Sequence, residues 1–123
     1  MERRRFLRAV FPAEASLLWA DGEIPAGLRD VAYGGAYLTC SERPPVGAEV
    51  EIRFRLSGMD PPPEIRFKAR VVRHGADGIG VKLTGIDWRS LGHLRRLLYF
   101  NLGDADEAER ELRELLGEAT VDF

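Results

Sequence analysis

Hydrophobic and polar positions alternate through the middle of the chain, and that alternation predicts strands. In VEIRFRL, Val50, Ile52, Phe54 and Leu56 share one face while Glu51, Arg53 and Arg55 take the other. This is the two-residue period of a half-buried strand. IRFKARVVR repeats it with Ile65, Phe67, Ala69 and Val71 inward, and IGVKL with Ile79, Val81 and Leu83. Two shorter apolar runs come earlier. EASLLWA starts at Glu14 and stops at Asp21-Gly22, and GAYLTC follows Gly34-Gly35 and stops at SERPPVG. Paired glycines, paired prolines and Asp-Gly are turn chemistry that interrupts strand pairing. SGMDPPPE and HGADG break the chain in the same way. Short strands at hairpin spacing predict a mainly β fold, an antiparallel sheet closed into a small barrel, because closure removes exposed edges.

After Asp87 the period lengthens. In WRSLGHLRRLLYFNL, Leu91, Leu94 and Leu98 fall at helical spacing, and Gly103 marks a stop. Asp104 with Glu107 then resembles a capping box that opens a second helix. Ala108, Leu112, Leu115 and Leu116 form its apolar stripe, with Asp106–Arg110 and Glu109–Arg113 as the expected ion pairs. The stripe is expected to pack on the barrel, with docking of a partner or a second copy (a homodimer) as the alternative. The expected organisation is an arginine-rich arm over residues 1–13, a barrel over 14–88 and a helical extension over 89–119.

A chain of 123 residues with 45% hydrophobic and 31% charged residues fits one soluble domain with a modest core. No apolar run approaches the roughly 20 residues of a membrane span. The single cysteine, Cys40, excludes an internal disulfide and a multi-thiolate metal site, and a cytoplasmic location is the expectation. Charge is unevenly placed although the net value is only −2. Arg3, Arg4, Arg5 and Arg8 crowd the start, whereas the last twenty residues carry eight acids against Arg110 and Arg113.

RRRFLR looks like a twin-arginine export signal, but such a signal needs an apolar segment of about 7–15 residues after it. Pro12 and Glu14 interrupt that segment. The arm is therefore expected to stay, and guanidinium forks suit phosphate oxygens and the acceptor edge of guanine. A second unusual stretch is RDVAYGGAYL, residues 29–38, where Asp30 stands shortly before a Gly-Gly pair. A carboxylate fixed beside such a turn can accept from the N1–H and N2–H₂ edge of guanine, although aspartate and glycine also simply make turns.

Together the two stretches resemble the PilZ domain family, receptors for the bacterial second messenger cyclic di-GMP. The R-x-x-x-R motif falls on Arg4-Arg5-Phe6-Leu7-Arg8, and [D/N]-x-S-x-x-G on Asp30-Val31-Ala32-Tyr33-Gly34-Gly35. The likeness continues through PPVGAEVEIRF, ARVVRH and IGVKLTGID. It implies a six-stranded antiparallel barrel with a flexible N-terminal arm that folds over the ligand, followed here by the C-terminal helices. It also implies that Arg4 and Arg8 hold phosphates and guanine, Asp30 reads a guanine edge, and Gly34 and Gly35 form the turn. Arg3, ahead of the motif, implies a stacked pair of ligands. Ala32 departs from the usual serine and removes one hydrogen bond, worth roughly 0.5–1.5 kcal/mol.

The resulting expectation is a cyclic di-GMP receptor that signals to a downstream protein and needs no other cofactor. The alternative is an adaptor of the same family that works by protein contact and binds the nucleotide weakly or not at all. Other classes fit less well. His74 and His93 have no spacing that suggests catalysis or a metal site, and GADGIG lacks the βαβ unit of a dinucleotide site, so an enzyme is not expected. Binding to a nucleic acid polymer would call for exposed stacking aromatics, whereas Phe54 and Phe67 read as core.

Overall fold

The computed structural model describes residues 8–20, 22–57, 60–102 and 104–122. Six strands form the barrel: β1 (Ala9–Trp19), β2 (Gly22–Ala32), β3 (Gly35–Thr39), β4 (Glu49–Arg55), β5 (Glu64–His74) and β6 (Gly78–Asp87). They are ordered β3-β2-β1-β4-β5-β6, and β3 pairs antiparallel with β6 to close the ring. The alternating residues behave as their period demands. Val50, Ile52, Phe54, Ile65, Phe67, Ala69, Val71, Ile79, Val81 and Leu83 all lie in one buried core.

Two of the barrel strands differ from the sequence expectation. β1 starts at Ala9 rather than Glu14, so the stretch assigned to the arm overlaps the first strand. Pro12, which looks like a strand breaker, falls where the β1–β2 register shifts between Val10 and Ala13. β1 pairs with β4 only from Ala15 to Leu18, so the missing proline N–H interrupts no second ladder. β2 is the strand that alternation does not isolate, because Pro25 and Gly27 interrupt its pattern. Pro25 pairs with Ser16 of β1, beyond the stretch that β3 covers, so only one neighbour needs its hydrogen bonds.

α1 (Trp88–Leu102) and α2 (Ala105–Glu118) follow, and α1 lies against β5, β1 and β6. Asp87 starts α1. Its carboxylate accepts from the Ser90 backbone N–H at 2.8 Å and the Ser90 hydroxyl at 3.0 Å. Burial pushes the Asp87 carboxyl up, but the Ser90 groups and Arg66 together hold it below its usual value. Asp104 caps α2 as expected by accepting from Glu107 N–H at 3.0 Å. The α2 ion pairs fall elsewhere than expected. Arg110 bonds Glu107 and Glu114, and Glu109 reaches across to Arg95 of α1 at 2.6 Å. The buried face of α2 also turns differently: Ala108, Glu111 and Leu115 are buried, whereas Leu116 is exposed. After α2 the chain returns to the sheet as β7 (Thr120–Asp122), parallel to Gly85–Asp87 of β6. β3 pairs with β6 only between Gly78 and Lys82, so β7 covers the edge that β3 leaves open.

Closure depends on close backbone approach at Gly35. Its φ is +155°, and a Cβ there would stand 1.9 Å from the Val81 carbonyl oxygen. Next to it, Leu83 N–H donates to the Gly34 carbonyl at 2.9 Å. Gly35→Ala is expected to cost roughly 3 kcal/mol in the absence of any ligand. Urea unfolding of the two proteins measures it.

Tyr33, in the same turn, points the other way and is buried in the core. Burial, with Glu109 and Glu111 nearby, pushes its hydroxyl up to about 12 from an ordinary value of 10.0. Below pH 10 both folded and unfolded chains keep the proton, so its contribution is fully present. Between pH 10 and about 12 only the unfolded chain ionises, and stability falls. Wild type should therefore lose stability more steeply over that window than Tyr33→Phe, as read by unfolding curves at several pH values.

Candidate functional site

The two motifs meet in space at the start of β1. Ala9 pairs with Val31 and Val10 with Asp30, so the last arm residue is brought beside β2. There Arg8 Nη1 donates to Asp30 Oδ1 at 3.1 Å. The two side chains are 25% and 16% exposed, and an ion pair so placed contributes about 1 kcal/mol or less. It therefore fixes position more than stability, and a ligand can displace it. Arg3 and Arg4 lie outside the described residues. Ala32 ends β2, is buried, and pairs with Gly35, which offers no side chain to bond. Gly34 and Gly35 are held by the β3–β6 closure, so both have structural work to do without a ligand.

A bulge in β2 shapes the surface around Asp30. Leu28 and Val31 both lie in the core although three residues apart, which strict alternation forbids. The register shift between Leu28 and Asp30 absorbs the extra residue, and Arg29 and Asp30 both face out. Asp30 pairs with Tyr37 of β3, Tyr37 with Gly80 of β6, and Gly80 with Arg73 of β5. These positions form one row across the outside of the barrel, beginning at the exposed Val10. Gly80 has no side chain to obstruct the row, and a Cβ there would come within 3.0 Å of Arg73. Arg73 thus reaches the Tyr37 ring, its guanidinium carbon 5.2 Å from the centroid.

The same ring carries Arg29 at 4.6 Å, within the range of cation–π attraction. Asp77, in the β5–β6 turn, accepts from the Tyr37 hydroxyl at 2.6 Å and pairs with Arg29. The bond from Tyr37, then that from Arg29, hold the Asp77 carboxyl below its usual value. The same bond pushes the Tyr37 hydroxyl up. Arg29, Tyr37, Arg73 and Asp77 escape a motif search. Their signal in the sequence is the Leu28–Val31 spacing, which turns two successive polar residues outward. Asp77 also lines a surface cleft of about 600 Å³ with Thr39, Cys40 and Arg43, and burial pushes the Cys40 thiol up. A cleft of similar size, about 610 Å³, opens beside Arg53 and Glu64 and is separate from the Asp30 row.

Among the described residues, no helix is long and apolar enough to cross a membrane, and no three His, Cys, Asp or Glu side chains cluster as a metal site would need. His74 bonds the Pro44 carbonyl oxygen at 2.6 Å, a contact that ties the end of β5 to the loop between β3 and β4.

Several solved structures share the fold, among them the three that follow. YcgR from Escherichia coli, in complex with c-di-GMP, superposes with a TM-score of 0.63 at 18% identity over 94% of this chain and 50% of its own. The Bacillus subtilis inhibitor of motility MotI/DgrA gives 0.60 at 16% identity, covering 80% of this chain and 53% of that one. The PilZ domain of CeSA from a cellulose-synthesizing bacterium gives 0.59 at 22% identity, covering 76% and 95%. The chain therefore spans about half the length of YcgR and of MotI/DgrA, and nearly all of the isolated CeSA domain. The PilZ domain family model matches residues 2–100, which takes in the arm, the whole six-stranded barrel and most of α1. The chain belongs to the PilZ domain family.

Proposed function

We propose that this chain is a cyclic di-GMP receptor whose N-terminal arm orders over the ligand and so creates a surface for a downstream protein. The observation that carries this reading is the Arg8–Asp30 contact, which brings the last residue of one motif onto the first residue of the other. Asp30 is an acceptor-only carboxylate on the outer face, suited to the N1–H and N2–H₂ donors of guanine. Arg8 is suited to the phosphate next to that base once it leaves the carboxylate, an exchange of one charge-assisted bond for another. Arg4, four residues earlier, supplies the second cation, and Arg3 a third that favours two stacked ligands. Neutralising these charges removes the repulsion that opposes folding the arm, and an order transition of this kind is a common form of switch. No step calls for bond chemistry, so the role is a receptor's rather than an enzyme's. The c-di-GMP bound to YcgR and the motility role in the name of MotI/DgrA agree with a signalling role acting on a protein partner.

A family adaptor that dispenses with the nucleotide is the second reading, and Ala32 favours it. Placing serine at this buried position tests how much the missing hydroxyl matters. Isothermal calorimetry of the whole chain should show cyclic di-GMP binding that Arg8→Ala and Asp30→Ala each weaken by about tenfold or more. Ala32→Ser should tighten it by up to about tenfold. Two ligands per chain are expected; a clean stoichiometry of one would remove the role given to Arg3. An absence of heat and of competition at high micromolar ligand would leave the adaptor reading in possession.

A further inference from the structure

The β2 bulge does more than present Asp30, because it sets Arg29 on the same outer face. The Arg29 guanidinium lies over Tyr37, the cross-strand neighbour of Asp30, so the cation and the carboxylate are adjacent on the sheet. Arg29 is also held by a carboxylate. Its Nη2 bonds Asp77 Oδ2, while the Tyr37 hydroxyl takes the other oxygen, Oδ1, at 2.6 Å. That hold uses one nitrogen of the fork and leaves Nε and Nη1 to donate elsewhere. Arg73 adds a second cation on the ring and is in no ion pair among the described residues. Of the two guanidiniums on the ring only Arg29 pairs with the Asp77 carboxylate, so the charge of Arg73 leaves a positive surface on the row that begins at Asp30.

We propose that Arg29 reads the O6/N7 acceptor edge of the same guanine whose donor edge Asp30 takes. The proposal rests on the receptor reading above and assigns base identity within it. On guanine, O6 is next to N1–H, so a carboxylate and a guanidinium that are neighbours on a sheet can engage consecutive atoms of one base. Adenine reverses both contacts. Its amino group would meet the guanidinium donor to donor, and its unprotonated N1 would meet the carboxylate acceptor to acceptor. Contacts to phosphate make no such distinction. Arginines of the arm hold the ligand, and the Arg29–Asp30 pair selects guanine.

The test is calorimetry of the full chain, Arg29→Ala and Arg29→Lys with cyclic di-GMP and with its 7-deazaguanine analogue, which lacks the N7 acceptor. Arg29 is about half exposed, at 48%, so each variant should melt as wild type does. Wild type should bind cyclic di-GMP roughly tenfold or more tightly than either variant. Lysine should fail to rescue, because it keeps the charge but not the fork. Wild type should also distinguish the two ligands, and Arg29→Ala should not. Equal affinity of Arg29→Ala and wild type for cyclic di-GMP would overturn the inference and leave the receptor standing. Full rescue by lysine, or no preference of wild type between the ligands, would do the same. Failure of wild type to bind cyclic di-GMP at all would instead remove the reading on which the inference rests.

Discussion

The backbone contact between β3 and β6 at Gly35 is the constraint on which the rest depends. A ring of six antiparallel strands has no free edge only if the last strand meets the first, and here β3 is the strand that must reach β6. The reach is so short that the Val81 carbonyl occupies the space of a side chain at residue 35. Closure fixes the β2–β3 turn, and through it the position of Asp30 and the burial of Tyr33. It also lays β2, β3, β6 and β5 side by side, which is why Asp30, Tyr37 and Arg73 share one row although they come from distant parts of the chain. The glycine that a motif assigns to the ligand therefore first serves the barrel.

Closure alone would leave Asp30 isolated among outward side chains. The bulge adds Arg29 beside it by letting Leu28 and Val31 both stay inside, so the hydrophobic demand of the core dictates the polar pattern of the surface. The same row then gathers two guanidiniums and a second carboxylate around one phenol ring. On the opposite side of the turn, Tyr33 lies beneath the helices, near Glu109 and Glu111 of α2. The end of β2 therefore carries the carboxylate outward, and the turn that follows it carries an aromatic anchor inward.

Alternation made β4 and β5 legible residue by residue, because each has one face in the core and one toward water. In β6 it marked the inward Ile79, Val81 and Leu83, although the glycines between and beside them are buried too. It failed for β2, where Pro25, Gly27 and the bulge disturb the period, and for the start of β1, where Pro12 reads as an end. In both places the missing hydrogen bonds fall where a neighbouring strand is absent or out of register, a fact of topology that no local pattern contains. Helical periodicity found α1 and α2, but the inward face of α2 is set by the α1 partner, so Glu111 is buried and Leu116 is not. Within the site, Arg8, Asp30, Gly34 and Gly35 were visible as motif positions. Tyr37, Arg73 and Asp77 were not, since only the sheet register joins them.

The central claim is that the arm and the Asp30 turn are two halves of one cyclic di-GMP site. An amide chemical-shift titration of the uniformly labelled chain with the ligand tests it most directly. Saturable shifts confined largely to the arm through Arg8 and to Arg29–Tyr37, with arm signals gaining the relaxation of an ordered backbone, are the expected result. Silence in both segments at millimolar ligand, or shifts in only one of them, would contradict it.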